Sequence, residues 1–178
     1  MLDLKLYDSL GAALRDALNL WPDEVCLIEA DRERERSQLT YRQFREAAEP
    51  LAAALEDSGF AAGERAAIIM TNQPKWLISA YATFFSGGVV VPLDYKLSAE
   101  EQLQLLAHSR ARVLFVEYPH WRAITQSETF REHKLHTILV TEAPPNADLA
   151  GGLRAGLEGE SARCAGSTWA VTGSIGFP

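Results

Sequence analysis

Apolar residues along this chain fall into short continuous runs, separated by longer segments in which they recur three and four residues apart. The continuous runs are typical of strands buried on both faces of a parallel sheet, and the spaced segments predict helices. The predicted strands are residues 66–71, 88–93, 112–117 and 137–141, and the two strongest helices between them are residues 74–86 and 98–109. This alternation predicts an α/β fold with a mostly parallel sheet flanked by helices. Right-handed crossovers are expected to place consecutive strands side by side.

The first third of the chain has a different pattern. Residues 4–20 have helical spacing, and residues 25–39 predict a β-hairpin with a charged, solvated tip. A second helix is predicted from Thr40 to Gly59, with Pro50 as an interior interruption that can kink it.

Local end signals support these helices. Thr40 with Gln43, and Ser98 with Glu101, have the spacing of capping boxes, in which two backbone donors at a helix start are satisfied reciprocally. The pair Gly87–Gly88 follows the last apolar residues of the 74–86 helix, which favours a left-handed C-cap there.

Composition limits the classes of protein that remain. The chain has 178 residues, 47% of them hydrophobic, which predicts one α/β subdomain over residues 1–178 with a real core. The net charge is −7 and no basic stripe is present, so we expect no nucleic-acid partner. Cys26 and Cys164 are far apart in sequence, and we interpret them as free thiols in a reducing compartment, which predicts a cytoplasmic protein.

Targeting and metal signals are weak. Residues 1–10 carry charges that exclude a secretory apolar segment, and the uncharged stretch 76–93 splits into a helix and a strand, so we expect no transmembrane segment. His133 and His136 lie three residues apart, but no further ligands accompany them, so no metal site is predicted. Residues 143–167 are rich in glycine, alanine and proline and predict a mobile linker.

The end of the chain carries the clearest candidate chemistry. A short apolar strand, residues 169–171, runs into Thr172-Gly173-Ser174-Ile175-Gly176. Glycines let backbone N–H groups close on an anion, and hydroxyls add hydrogen bonds, so this segment can bind phosphate. A plain turn of small residues is the alternative.

Three stretches, taken together, resemble a known family. They are Leu39-Thr40-Tyr41-x-x-Phe44, the segment Phe85-Ser86-Gly87-Gly88-Val89-Val90-Val91-Pro92-Leu93-Asp94, and Thr172-Gly173-Ser174-Ile175-Gly176-Phe177-Pro178. Their order and spacing are similar to the first three core motifs of the AMP-forming adenylating enzymes, which include acyl-CoA synthetases, amino-acid-adenylating domains and luciferases. The turn Asn72-Gln73-Pro74-Lys75-Trp76 also resembles one that is frequent in the acyl-CoA synthetase branch.

The resemblance implies a chemistry. Such enzymes activate a carboxylic acid with ATP and Mg²⁺ to an acyl-adenylate and then transfer the acyl group to a thiol, usually of coenzyme A. By this resemblance Thr172, Gly173, Ser174 and Gly176 would line the β- and γ-phosphates of ATP. No residue of the chain is assigned a catalytic or a metal-binding role. Five further residues match the motifs, but the roles that we infer for them are structural: a cap, a helix stop and a strand end. They are Thr40, Tyr41, Gly87, Gly88 and Pro92.

The resemblance also predicts what the chain lacks. The family's phosphate loop continues into a lysine and a glycine beyond the position of Pro178, so we expect an N-terminal fragment of a larger ligase that is inactive by itself and binds no cofactor. Surface normally covered by the rest of the enzyme could then support a homodimer. The acid is expected to be a fatty acid, by similarity of the turn and of the 88–94 segment.

Two alternatives remain open. One is a stand-alone α/β binding or regulatory module without catalysis. The other is an unrelated doubly wound nucleotide-binding domain, which would have a glycine-rich turn after its first strand. The turn after Thr71 is Asn-Gln-Pro, without glycine.

Overall fold

The structure is a computed structural model that describes residues 4–31, 34–132, 135–144 and 169–174. The chain divides into two compact units. The first comprises Met1–Glu64 and Asn72–Val89, and the second comprises Arg65–Thr71 and Val90–Pro178. Each unit is described by itself.

The first unit contains three helices and a hairpin. After a 3₁₀ turn at Leu4–Leu6, the elements are α1 (Leu10–Asn19), β1 (Val25–Asp31), β2 (Arg34–Thr40), α2 (Tyr41–Asp57) and α3 (Pro74–Phe85). β1 and β2 pair antiparallel, which confirms the predicted hairpin. α1 begins later than the sequence predicted, because the Ser9 side chain accepts a hydrogen bond from the Ala12 N–H and caps the helix there. α2 runs through Pro50 and begins with the predicted Thr40–Gln43 capping box.

The end of α3 is a Schellman motif. The N–H of Gly88 donates to the carbonyl of Thr83 at 2.8 Å, and the N–H of Gly87 donates to the carbonyl of Phe84 at 3.0 Å. Gly87 has a φ of +70°, whereas Gly88 is not in the left-handed region. The predicted left-handed C-cap is therefore present at Gly87 alone. Gly88 is required for another reason: a Cβ there would lie 2.5 Å from the Phe60 ring.

The second unit is built on a five-stranded sheet. Its strands are β3 (Arg65–Ile69), β4 (Val89–Pro92), β5 (Val113–Glu117), β6 (Thr137–Thr141) and β7 (Trp169–Ser174), in the spatial order β4-β3-β5-β6-β7. The first four are parallel, as predicted, and β7 pairs antiparallel with β6. The side-by-side order expected for consecutive strands is wrong at one point, because β5 lies against β3 and not against β4. Local signals define crossovers, but not the side of the sheet on which the next strand is added.

Two helices belong to this unit, α4 (Ala99–Ser109) and α5 (Tyr118–Gln126), followed by a 3₁₀ turn at Glu128–Glu132. α4 begins with the predicted Ser98–Glu101 capping box. One face of the sheet and both helices enclose the core, whose buried residues are Ala67, Ile69, Leu103, Leu106, Ala111, Leu114, Val116, Trp121, Ile124, Phe130, Leu135, Ile138 and Val140. Burial of these side chains is the main favourable term in the folding of the unit.

Several sequence expectations fall outside the described residues. They concern most of the predicted linker 143–167, the hairpin tip at residues 32–33, Cys164, His133 and Gly176. Where the chain is described, no helix combines the length and hydropathy needed to cross a bilayer.

Candidate functional site

Three of the four predicted phosphate-binding residues lie on β7. Thr172 pairs with Ile138 and Ser174 pairs with Thr137, so Gly173 is an extra residue between them. Such a β-bulge leaves its extra residue outside the regular ladder, and glycine allows another group to approach the backbone closely. The strand continues through Ser174, three residues beyond the predicted 169–171 strand. The phosphate role of Thr172, Gly173, Ser174 and Gly176 remains a prediction.

The position of this bulge in the sheet is defined by its register. Ser174 lies opposite Thr137, the first residue of β6. Because β7 runs antiparallel to the other strands, its end lies at the amino-terminal edge of the parallel set. The predicted phosphate segment therefore follows the amino-terminal edge of the parallel strands in the chain, whereas Thr71, Glu117 and Thr141 lie at their carboxyl edge.

A buried polar contact joins the carboxyl ends of β3 and β5. Oε1 of Glu117 accepts a hydrogen bond from the Thr71 backbone N–H at 2.7 Å and another from Thr71 Oγ1 at 2.5 Å. Glu117 is the last residue of β5 and is only 8% exposed. A buried carboxylate is costly unless it is hydrogen-bonded, and these two donors satisfy one of its oxygens.

A third polar side chain ends the next strand. Thr141, the last residue of β6, pairs in register with Glu117. Paired residues of neighbouring strands project to the same face of a sheet, here the face opposite the core that holds Val116 and Val140. Thr141 is fully buried, and among the residues that the structure describes its Oγ1 has no hydrogen-bond partner.

The turn after β4 is fixed at the same edge by a buried amide. Gln102 of α4 is 1% exposed, and its Nε2 donates to the carbonyls of Asp94 and Tyr95, each at 3.3 Å. The Asp94 side chain also accepts from the Lys96 N–H at 2.9 Å. The carboxyl edge of this unit is thus held by specific polar contacts rather than by apolar packing alone.

The sequence analysis did not predict a role for these edge residues, although the sequence contains a pattern that could have identified them. Each buried run ends in a polar residue: Thr71 after Ala-Ile-Ile-Met, Glu117 after Val-Leu-Phe-Val, and Thr141 after Ile-Leu-Val. Polar residues directly after buried parallel strands lie at the edge where ligands of α/β proteins bind. Within the described part of the chain, no group of three or more potential metal ligands comes together.

The other motif residues have structural roles where they are described. Thr40 caps α2, Gly87 ends α3 in the left-handed conformation, and Pro92 is the last residue of β4. This agrees with the interpretation of these positions as a cap, a helix stop and a strand end.

Comparison with known proteins identifies the family. The family described as "AMP-binding enzyme" matches residues 14–160. The chain therefore belongs to the AMP-binding enzymes, the class that its three motifs resemble.

Two of the relatives are named as CoA ligases. The chain is 27% identical over 136 residues to 2-succinylbenzoate–CoA ligase of Bacillus licheniformis, an alignment that covers 76% of this chain and 27% of that protein. It is 36% identical over 108 residues to indoleacetate–CoA ligase of Aromatoleum aromaticum, covering 60% of this chain and 21% of that protein. The chain thus spans about a quarter of the length of these relatives.

A solved structure shares the fold. The benzoate CoA ligase from Burkholderia xenovorans LB400 matches with a TM-score of 0.66 at 20% identity, over 76% of this chain and 26% of that chain. The predicted fold class is confirmed by this similarity and by the parallel sheet described above.

Proposed function

We propose that the chain is part of an AMP-forming acid–thiol ligase. In this reaction a carboxylate oxygen attacks the α-phosphorus of ATP, pyrophosphate leaves, and an acyl-adenylate forms. The thiol of coenzyme A then attacks the acyl carbon and releases AMP. The observation that carries the proposal is the family match along residues 14–160, together with relatives named as CoA ligases.

Thr172, Gly173, Ser174 and Gly176 are the residues we propose for binding the β- and γ-phosphates. The bulge at Gly173 supports this role, because a residue outside the ladder keeps backbone groups for another partner. Backbone N–H groups stabilise negative charge as it develops on phosphate oxygens. Mg²⁺, when bound with ATP, would neutralise part of that charge.

The acid substrate is the least defined part of the proposal. Similarity of the Asn72-Gln73-Pro74 turn and of the 88–94 segment to acyl-CoA synthetases favours a fatty acid. The two relatives described above are named for succinylbenzoate and indoleacetate, which are aromatic acids, and another is named for 4-hydroxybutyrate, which is aliphatic. The acids used to test the proposed reaction must therefore include aliphatic and aromatic acids of matched size.

We further propose that the 178-residue chain alone has negligible activity and negligible affinity for ATP. We also propose that one α/β subdomain spans the chain and that the chain can self-associate. The proposed location of the protein is the cytoplasm. The chain spans about a quarter of its relatives' length, which supports the proposed inactivity of the chain by itself. An anion site is effective when its donors are preorganised, and a site completed only in part lacks that advantage.

The test is acid-dependent ATP–pyrophosphate exchange, measured for the complete product of the gene and for the 178-residue chain in parallel. We expect exchange with at least one acid for the complete protein and background exchange for the chain. Gly173→Val in the complete protein should lower exchange, whereas Glu100→Gln, at an exposed position on α4, should not. Absence of exchange with every acid would favour the alternative, a binding or regulatory module without catalysis.

A further inference from the structure

We draw no further inference here: the strongest candidate, the exposed apolar surface of Leu20 and Trp21 in the turn between α1 and β1, carries none, because nothing in the described part of the structure shows what covers it.

Discussion

Gly11 of α1 lies directly against the end of α3 at Phe84. A Cβ at Gly11 would stand 2.2 Å from the Phe84 carbonyl oxygen and 2.9 Å from its carbon. Both atoms belong to the backbone, so a side chain at position 11 can be accommodated only if one helix shifts. The glycine is thus a condition for the close approach of α1 and α3 within the first unit.

Gly11→Ala should therefore destabilise the protein by about 2 kcal/mol or more, as overpacking does. Helix propensity acts in the opposite direction, because alanine is favoured over glycine in a helix by about 1 kcal/mol. A loss of stability in chemical denaturation would report the contact with Phe84. An unchanged or raised denaturation midpoint would show that α1 and α3 do not approach as described.

Arg15 links the three helices of the first unit. Its Nε and Nη2 donate to the two Glu49 carboxylate oxygens at 2.9 and 3.3 Å, and its Nη1 donates to the Phe85 carbonyl at 3.2 Å. The guanidinium carbon also lies 4.5 Å from the centre of the Phe85 ring.

Arg15→Ala should cost about 1–2 kcal/mol, through lost packing and the lost bond to the Phe85 carbonyl. The ion pair should contribute less, because the two side chains are 35% and 38% exposed and solvent screens such pairs to below about 1 kcal/mol. A double-mutant cycle of Arg15→Ala with Glu49→Ala measures that coupling. A coupling free energy of about 2 kcal/mol or more would show that the ion pair, rather than packing and the bond to the Phe85 carbonyl, is the main contribution of Arg15.

Gly87 and Gly88 should respond differently to the same substitution. Gly87→Ala forces a side chain into φ +70°, at a cost of about 1–2 kcal/mol. Gly88→Ala collides instead with the Phe60 ring, 2.5 Å from the added Cβ. Phe60→Leu should therefore relieve Gly88→Ala but not Gly87→Ala in paired denaturation measurements. If Phe60→Leu had the same coupling free energy with both variants, the two glycines would not be required for different reasons.

Glu101 should make the stability of α4 depend on pH in the acidic range. Hydrogen bonds from the Ser98 backbone N–H and hydroxyl lower the pKa of Glu101 below its ordinary value of 4.5. A group whose pKa is lowered by folding stabilises the folded state above its ordinary pKa, and this contribution is lost as the pH falls through the folded value.

The stability difference between the parent chain and Glu101→Gln should be constant near neutral pH and should shrink as the pH falls below 4.5. Glu100→Gln, which leaves the capping box intact, is the control. Denaturation series at several pH values, at low salt, measure both. A difference that does not change with pH would exclude the hydrogen bonds as its cause.

The amino-acid sequence by itself determined the features that depend on neighbours in the chain. The capping boxes at Thr40 and Ser98, the helix stop at Gly87–Gly88 and the buried runs of β3, β5 and β6 arise from residues a few positions apart. Their local free energies are largely the same in any fold. The motifs that identify the family are likewise local, which is why the family and the fold class could be predicted without a structure.

The tertiary structure alone decided which distant residues meet. The contact of Thr71 with Glu117 joins positions 46 residues apart, and it depends on β5 being added beside β3 rather than beside β4. The role of Gly11 likewise depends on its contact with Phe84. The hydrophobic pattern of one helical segment carries no information about such a contact with a distant segment. Hydrophobic periodicity specifies which face of an element is buried, but many arrangements of strands bury the same faces. The choice among them is made by packing and polar contacts between elements, and the candidate sites at the sheet edges follow from that choice.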